Sequence, residues 1–392
     1  MKKKTILYIG GFELPDKDAA AHRVLNNAKI FRDLGYNVVF IDVVRNSKRE
    51  NINLDSMHKK NVQGFDCWSI KFPSSITEWI RYLTSIKFVK KVAENYEEVK
   101  VIICYNYQAG AFVSIKKYCK ENNIKLVADC TEWYEDKRLI KKIDTDLRMK
   151  YLHKKIDGVI CISSFLSNYY KEHTKTLILP PLIDLQEEKW ELREFSNKPC
   201  NKRIFVYSGR PGKHKDKLNY IINALSELKD NNSYIFKVIG IKKSEYLLYY
   251  PEHTAILEDL KNLVIFLGRV SHAESLRHVT SADYVIFLRE NKRVNNAGFP
   301  TKFVESITCG TPVITTDTSD ITKFLIEKEN GFIVEVDNTH KLVRKMNYIL
   351  DLEESKVKEM KDNCLKSTVF HYKNYLSETQ NFMEELNSLS NK

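Results

Sequence analysis

Short apolar segments alternate with amphipathic ones along almost the whole chain. The apolar segments are rich in Val, Ile, Phe and Tyr and lack a polar residue at every second position, which is typical of parallel strands buried on both faces. The predicted strands are 5–9, 38–43, 101–104, 125–128, 159–162, 204–208, 236–239, 264–267, 284–288, 312–315 and 331–334. Amphipathic helices such as 20–34, 218–228 and 301–309 are predicted between them. This order predicts an α/β protein with right-handed crossovers and doubly wound sheets.

The alternation is weakest in one charged segment that also contains Asn, Ser and Pro, and we place an interdomain linker there, at 186–202. This linker separates an N-terminal Rossmann-like domain, 1–185, from a second one, 203–371. A last helix within 372–392 is predicted to pack back on the first domain. The length of 392 residues agrees with this division, because single domains usually contain about 100–200 residues.

Composition excludes several classes of protein. Hydrophobic residues make up 43% of the chain and Gly and Pro are sparse, which excludes a disordered or fibrous protein. No apolar run approaches the roughly 18 residues needed to span a bilayer, and the N-terminus runs directly into the first strand instead of a signal peptide. We therefore expect a cytoplasmic protein. The eight cysteines form no C-x-x-C pair, so no zinc or redox motif is predicted, and Cys104 and Cys161 are expected to be buried thiols.

A formal net charge of +12 is compatible with nucleic acid, an anionic membrane or a phosphorylated ligand as partner, and equally with an ordinary lysine-rich surface. No nucleic-acid-binding module is recognisable, so nucleic acid is not expected. The segment Trp79–Val92 interleaves apolar residues with Arg and Lys, which is typical of a helix lying on an anionic membrane. The alternative is a helix packed on the sheet with a basic outer face.

The first candidate for ligand binding is Gly10–Gly11, at the end of the first predicted strand. The sequence GGFELP lacks the G-x-G-x-x-G spacing of dinucleotide-binding folds, which argues against a nicotinamide enzyme. Two glycines still allow a ligand to approach the backbone closely. The alternative is a plain turn after the strand.

The second candidate is YSGRPGKHK at 207–215, which places Arg210 and Lys215 after a predicted strand. Ligands of open α/β sheets bind at the carboxyl ends of the strands. A guanidinium and an ammonium group suit a diphosphate there, and they stabilise the negative charge that grows on a departing phosphate. A solvated basic turn is the alternative.

The third candidate is NAGFPTKFVESITCGTPVI at 296–314. Pro300 is placed to start a helix and Gly310 to end it. The N–H groups around Thr301 are then available to a phosphate, and Glu305 lies one turn further along the same face, where its carboxylate can accept both hydroxyls of a ribose. The alternative is a capped core helix with Glu305 in solvent.

These stretches resemble glycosyltransferase family 4, retaining enzymes of the GT-B fold. The resemblance rests on YSGRPGKHKDK, FLGRVSHAESLRHVTSADYVIFL, GFPTKFVESITCGTPVI, IDGVICISSFL and LILPPLID, and it extends over nearly the whole chain. It implies two Rossmann-like domains facing across a cleft, with Arg210, Lys215 and Glu305 as catalytic residues. It further implies donor contacts at Gly10, Gly11, Gly209, Gly298, Phe299, Pro300 and Thr301.

The sequence departs from the family pattern at two places. The first Glu of the family's E-x7-E motif is replaced by Ala297, so a carboxylate near the donor sugar is absent there. The family's His-Asp pair near the acceptor is replaced by DCTEW at 129–133. We expect Asp129 and Glu132 to position an acceptor hydroxyl, with a turn at the edge of the core as the alternative.

The resemblance implies transfer of a hexose from a nucleotide diphosphate sugar, with UDP expected as the nucleotide, to a glycan or lipid-linked acceptor. Such an enzyme serves the synthesis of surface polysaccharide or glycoconjugate, and it can be peripheral on the inner face of the membrane. No Asp-x-Asp metal motif is present in the candidate segments, so neither a metal nor another cofactor is expected. The main alternative is a catalytically inactive GT-B protein that binds or regulates another glycosyltransferase.

Overall fold

The computed structural model describes residues 3–44, 58–133, 135, 138–191, 202–212, 215–231, 233–336 and 338–388. The chain forms two compact units. Unit 1 comprises residues 1–184, 297–299 and 371–392, and unit 2 comprises residues 185–296 and 300–370. Most of the predicted linker, 186–202, lies outside the described residues.

Unit 1 contains an eight-stranded sheet with the order β3-β4-β2-β1-β5-β6-β7-β8. Its strands are β1 Thr5–Gly10, β2 Asn37–Val44, β3 His58–Val62, β4 Phe65–Lys71, β5 Val99–Tyr105, β6 Lys125–Cys130, β7 Gly158–Cys161 and β8 Lys175–Ile178. Only the pairing of β3 with β4 is antiparallel. The central strands are apolar on both faces and buried throughout, as β1 illustrates, because helices cover both sides of a parallel sheet.

The helices of unit 1 are α1 Ala19–Asp33, α2 Ile76–Thr84, α3 Lys87–Ala93, α4 Ala109–Glu121, α5 Leu139–Leu147, α6 Ser164–Tyr170 and, at the C-terminus, Leu376–Ser388. The Asp18 side chain caps α1 by accepting hydrogen bonds from the N–H groups of Ala20 and Ala21. In the C-terminal helix, Phe382, Met383 and Leu386 are part of the core of unit 1.

Unit 2 contains a six-stranded, entirely parallel sheet with the order β11-β10-β9-β12-β13-β14. Its strands are β9 Arg203–Ser208, β10 Tyr234–Ile239, β11 Val264–Gly268, β12 Tyr284–Phe287, β13 Val313–Thr315 and β14 Gly331–Ile333. Its helices are α7 Leu218–Ser226, α8 Lys243–Tyr249, α9 Thr254–Asp259, α10 His272–Thr280, α11 Arg293–Ala297, α12 Thr301–Thr308, α13 Thr339–Leu350 and α14 Glu354–Lys366. The last residue of α11, Ala297, belongs to unit 1. The C-terminal helix of unit 1 is α15 in chain order.

Every predicted strand is present, within two residues at each end. The α/β class with two doubly wound parallel sheets is therefore confirmed. Three strands, β3, β4 and β8, were not predicted. The expected burial of Cys104 and Cys161 is also confirmed.

The single basic helix predicted for Trp79–Val92 is wrong. The segment forms two helices, α2 and α3, with Ser85 in an extended conformation between them. Ile86 and Val89 are buried, whereas Ile80 is largely exposed, so the apolar residues of the segment do not form one continuous face. In the described part of the chain, no helix is both long and apolar enough to cross a membrane.

Candidate functional site

Unit 2 changes winding direction between β9 and β12, which are neighbours in the sheet. The chain proceeds from β9 outward through β10 and β11 on one side, and then from β12 through β13 and β14 on the other. Such a point leaves a crevice at the carboxyl ends of the two strands, and open α/β sheets bind their ligands there.

A pocket of about 480 Å³ includes the carboxyl end of β9. Five of the residues predicted to bind or activate a donor line this pocket, namely Gly209, Arg210, Lys215, Thr301 and Glu305. Other charged or titratable side chains of the lining were not predicted from the sequence, namely Asp216, Arg269, His272, Arg289 and Lys302. Lys and Arg side chains outnumber the carboxylates, so the pocket suits an anion.

The most buried ionisable group of this pocket is the carboxylate of Asp216. It accepts hydrogen bonds from Arg289 Nε at 2.7 Å, from Lys302 Nζ at 2.6 Å and from the hydroxyl of Tyr207 at 2.6 Å. Burial by itself raises the pKa of Asp216, but the charges of Lys302 and Arg289 outweigh it and hold the pKa well below its ordinary value. Asp216 is therefore ionised and fixes two cations at the pocket wall.

Lys302 is itself almost completely buried, with its Nζ 4.0 Å from the centre of the Tyr207 ring. Burial lowers the pKa of Lys302, Asp216 raises it, and the charge of Arg289 lowers it again, with the result that this pKa is about 8.

The N-terminus of α12 lines the same pocket through Thr301 and Lys302. Pro300, the residue before the helix, carries no side-chain acceptor to cap it. The helix ends at Thr308 and is followed by Gly310 at a φ of 74°, as predicted for a glycine stop. The partial positive charge of the helix start adds to that of the side chains around the pocket.

Glu305 lies one turn further along α12, on the same face as Thr301. Its Oε1 lies 3.1 Å from Nε2 of His272, the first residue of α10. Both residues line the pocket, where the side chain of Glu305 is 28% exposed, and its predicted contact with a ribose stays a prediction. A carboxylate and an imidazole in contact are suited to hydroxyl groups of a ligand.

Two glycines shape the wall of the pocket. Gly209 has a φ of 120° and Gly240 a φ of 103°, which side chains rarely adopt. A Cβ atom on Gly240 would lie 2.3 Å from the carbonyl oxygen of Gly209. The loop after β9 can therefore pass over the end of β10 only if residue 240 has no side chain.

The remaining predicted donor contacts do not line this pocket. Gly10 and Gly11 belong to unit 1, as do Gly298 and Phe299, while Pro300 precedes α12. A Cβ atom on Gly10 would lie 2.8 Å from both the Cβ and the carbonyl oxygen of Tyr105. The close approach at Gly10 is thus to the neighbouring strand, and a donor contact by these residues stays a prediction.

Asp129 does not have the surroundings of an acceptor-binding residue. It is fully buried, and Arg23 donates to it with an Nη2–Oδ1 distance of 2.7 Å, while the hydroxyl of Tyr8 donates to its other oxygen. Arg23 also donates to the carbonyl of Leu179 at 2.8 Å. The expectation that Asp129 positions an acceptor hydroxyl is therefore corrected, because its carboxylate binds α1 and β1 to β6. Glu132 is partly exposed, and its predicted role stays open.

Ala297, at the position of the missing family Glu, is fully buried, and its carbonyl accepts a hydrogen bond from the hydroxyl of Ser163 at 2.9 Å. Across the described ranges, no group of three or more His, Cys, Asp or Glu side chains could hold a metal ion.

Comparison with known proteins gives a family match for unit 2. Residues 188–366 match the family model of the glycosyl transferases group 1. The match contains the whole pocket described above. An uncharacterized glycosyltransferase of Methanocaldococcus jannaschii is 22% identical over 351 residues, which cover 88% of this chain and 86% of that protein.

Solved structures share the fold of both units. Sucrose-phosphate synthase from Thermosynechococcus elongatus superposes with a TM-score of 0.74 at 15% identity, covering 99% of this chain and 100% of that one. HepE from Anabaena in complex with UDP-glucose gives a TM-score of 0.65 at 15% identity, covering 98% of this chain and 99% of that one. The predicted GT-B class, with two Rossmann-like domains, is thereby confirmed.

Proposed function

We propose that this protein is a retaining glycosyltransferase that binds the diphosphate of a nucleotide sugar in the pocket of unit 2. One observation carries the proposal. Arg210, Lys215 and Lys302 line the same pocket as the uncapped N-terminus of α12. This combination offers the guanidinium of Arg210, two ammonium groups and the partial positive charge of a helix start to a pyrophosphate. The family match of the same residues and the UDP-glucose named in the HepE structure support the donor class.

In this proposal the cations act on the leaving group. As the bond between sugar and diphosphate breaks, negative charge grows on the departing phosphate, and Arg210 and Lys215 stabilise it. They supply the charge that a metal ion supplies in other transferases. Glu305 binds the ribose, with His272 holding its carboxylate. The acceptor hydroxyl attacks from the face that the diphosphate leaves, so the configuration of the sugar is retained.

We further propose a hexose as the transferred sugar, a glycan or lipid-linked acceptor, and a place in the synthesis of surface polysaccharide or glycoconjugate. A second candidate is a GT-B protein that binds nucleotide and regulates another transferase without catalysis. One observation favours it, because the buried Ala297 offers no carboxylate to the sugar. Both candidates bind a nucleotide in the pocket of unit 2, but only the first catalyses transfer of a sugar.

The experiment that separates them uses a panel of UDP-, GDP-, ADP- and dTDP-sugars. Calorimetric titration of each nucleotide diphosphate measures binding, and release of nucleotide from each donor measures slow hydrolysis. We expect one nucleotide to bind and its sugar donor to be hydrolysed. Binding without hydrolysis, and without transfer to any acceptor tested, would support the regulatory candidate, and absence of binding would overturn both.

The affinity for the diphosphate is expected to depend on pH through Lys302. The pKa of Lys302 is about 8, so its ammonium group is charged below that pH and neutral above it. Binding of inorganic pyrophosphate, measured calorimetrically, should therefore weaken by roughly tenfold between pH 7.5 and pH 9. Lys302→Gln should bind weakly at both values, without this change. An equal pH dependence in the variant would exclude Lys302 as its cause.

A further inference from the structure

The helix α5 is oriented with its apolar side chains toward solvent. Leu139, Ile140, Ile143, Leu147 and, beyond the helix, Tyr151 are between 41% and 81% exposed. At about 100° per residue, the four aliphatic residues fall within a single arc of about 100°. The residues of this segment that turn inward are Thr145, Arg148 and Met149. An amphipathic surface helix normally buries such an arc and exposes the polar residues.

Exposed apolar residues also lie on α2, which is joined to α5 through α4. Ala109, at the start of α4, donates its N–H to Asp144 of α5 at 2.8 Å, and Ser114 of α4 donates to the carbonyl of Thr84 at the end of α2 at 3.2 Å. The helix α2 itself exposes Ile76, Trp79 and Ile80. We call α5 with Tyr151, together with these three residues of α2, the apolar face. Exposed apolar side chains gathered on neighbouring helices usually mark a binding site.

The charges around the apolar face favour one type of occupant. Between positions 138 and 155 the sequence contains seven Lys and Arg, of which Arg148 is buried, against two Asp. Both Asp residues have partners within unit 1, since Asp144 accepts from Ala109 and Asp146 pairs with Lys150 at 3.1 Å. Lys141 and Lys142 are exposed beside Ile140 and Ile143, and Arg81, Lys87 and Lys91 follow Ile80 around a second pocket.

We propose that the apolar face docks unit 1 on an anionic lipid bilayer. The aliphatic side chains enter the boundary between headgroups and acyl chains, and the lysines beside them contact anionic headgroups. A protein partner would need an acidic surface that matches this shape, whereas an anionic bilayer offers apolar depth and negative charge together. The proposal concerns unit 1 alone and does not depend on the donor pocket of unit 2.

The test is flotation with two kinds of vesicle, pure phosphatidylcholine and phosphatidylcholine with one third phosphatidylglycerol. The wild-type chain should float with the anionic vesicles only. Raising the salt from about 0.1 M to about 1 M should release it, because the screening length falls from about 10 Å to about 3 Å. Failure to bind anionic vesicles at low salt would overturn the proposal.

Matched variants locate the surface. Ile140→Ser with Ile143→Ser should weaken vesicle binding by at least roughly tenfold. The control is Leu248→Ser with Ile326→Ser, because these unit 2 residues are as exposed, at 81% and 53%, as Ile140 and Ile143, at 81% and 56%. Lys141→Gln with Lys142→Gln should weaken vesicle binding about fivefold for each lysine. The control pair, Lys358→Gln with Lys366→Gln, should leave vesicle binding unchanged. Equal losses in the test and control pairs would overturn the proposal.

Two further measurements distinguish other occupants. If light scattering finds a wild-type dimer and a monomeric Ile140→Ser, Ile143→Ser variant, the apolar face binds a second copy and the lipid proposal fails. Nucleotide affinity measured on the same variants should remain at the wild-type value. Loss of vesicle binding with intact nucleotide affinity thus tests the apolar face separately from the donor pocket.

Discussion

Arg210→Ala is expected to lower the rate of sugar transfer, or of donor hydrolysis, by about 10²–10³-fold. Arg210 is exposed and lines the pocket of unit 2, so its removal leaves the core of unit 2 unchanged. The loss arises because no other guanidinium at that position replaces its contact with the leaving phosphate, on which charge grows as the bond breaks. Most of the loss should appear in kcat, since the interaction strengthens in the transition state.

The matched control is Arg344→Ala. Arg344 is likewise exposed and lies on α13, where its Nε donates only to the carbonyl of His340 in its own helix, at 3.4 Å. Both variants should unfold at the wild-type temperature, and only Arg210→Ala should lose turnover. A fully active Arg210→Ala enzyme would remove Arg210 from the reaction and, with it, the assignment of leaving-group stabilisation to this side chain.

The central strands could be predicted because burial on both faces requires an uninterrupted apolar sequence, as in TILYIG of β1. Of the three strands that were missed, β3 and β8 are the two edges of the unit 1 sheet, and β4 is the neighbour of β3. The strand β3 reads HKKNV and is largely exposed, β4 alternates polar and apolar residues, and β8 has only four residues. An edge strand needs little apolar sequence, so its existence depends on the neighbour it pairs with.

Part of the candidate site could likewise be predicted from the sequence, and part could not. Arg210, Lys215 and Thr301 could be predicted because each lies just beyond an apolar strand or at a helix start, which local sequence reveals. Asp216 could not, because its partners Arg289 and Lys302 are 73 and 86 residues away in the chain. The error at Asp129 has the same origin, since Arg23, which binds it, is 106 residues distant. A carboxylate after a strand looks identical in sequence whether it binds a ligand or a buried guanidinium.

Asp216→Ala is expected to destabilise unit 2 by about 3–5 kcal/mol, because it leaves two buried cations without a counter-ion. Arg289 and Lys302 are each about nine-tenths buried and both bind this carboxylate. Since the pKa of Asp216 is held below its ordinary value of 3.8, its carboxylate stabilises the fold above about pH 4, and this contribution is lost as the pH falls through the lowered pKa. The pair with Lys302 also weakens above about pH 8, where the lysine loses its charge. Urea unfolding at pH 7 should therefore show nearly the full difference in the free energy of unfolding between the wild type and Asp216→Ala.

The control is Asp259→Ala, which removes the partner of Lys229 in an ion pair of 3.0 Å whose side chains are 45% and 61% exposed. Such a surface pair contributes little to stability, because its side chains remain in water, which screens their charges. Each variant deletes one carboxylate from unit 2. They differ in the cations left without a partner, which are buried in Asp216→Ala and exposed in Asp259→Ala. Equal urea unfolding midpoints for Asp216→Ala and Asp259→Ala would mean that Lys302 and Arg289 bind other partners or water. In that case Lys302 would also lose its fixed place at the pocket wall, and the pH dependence of pyrophosphate binding would lose its physical basis.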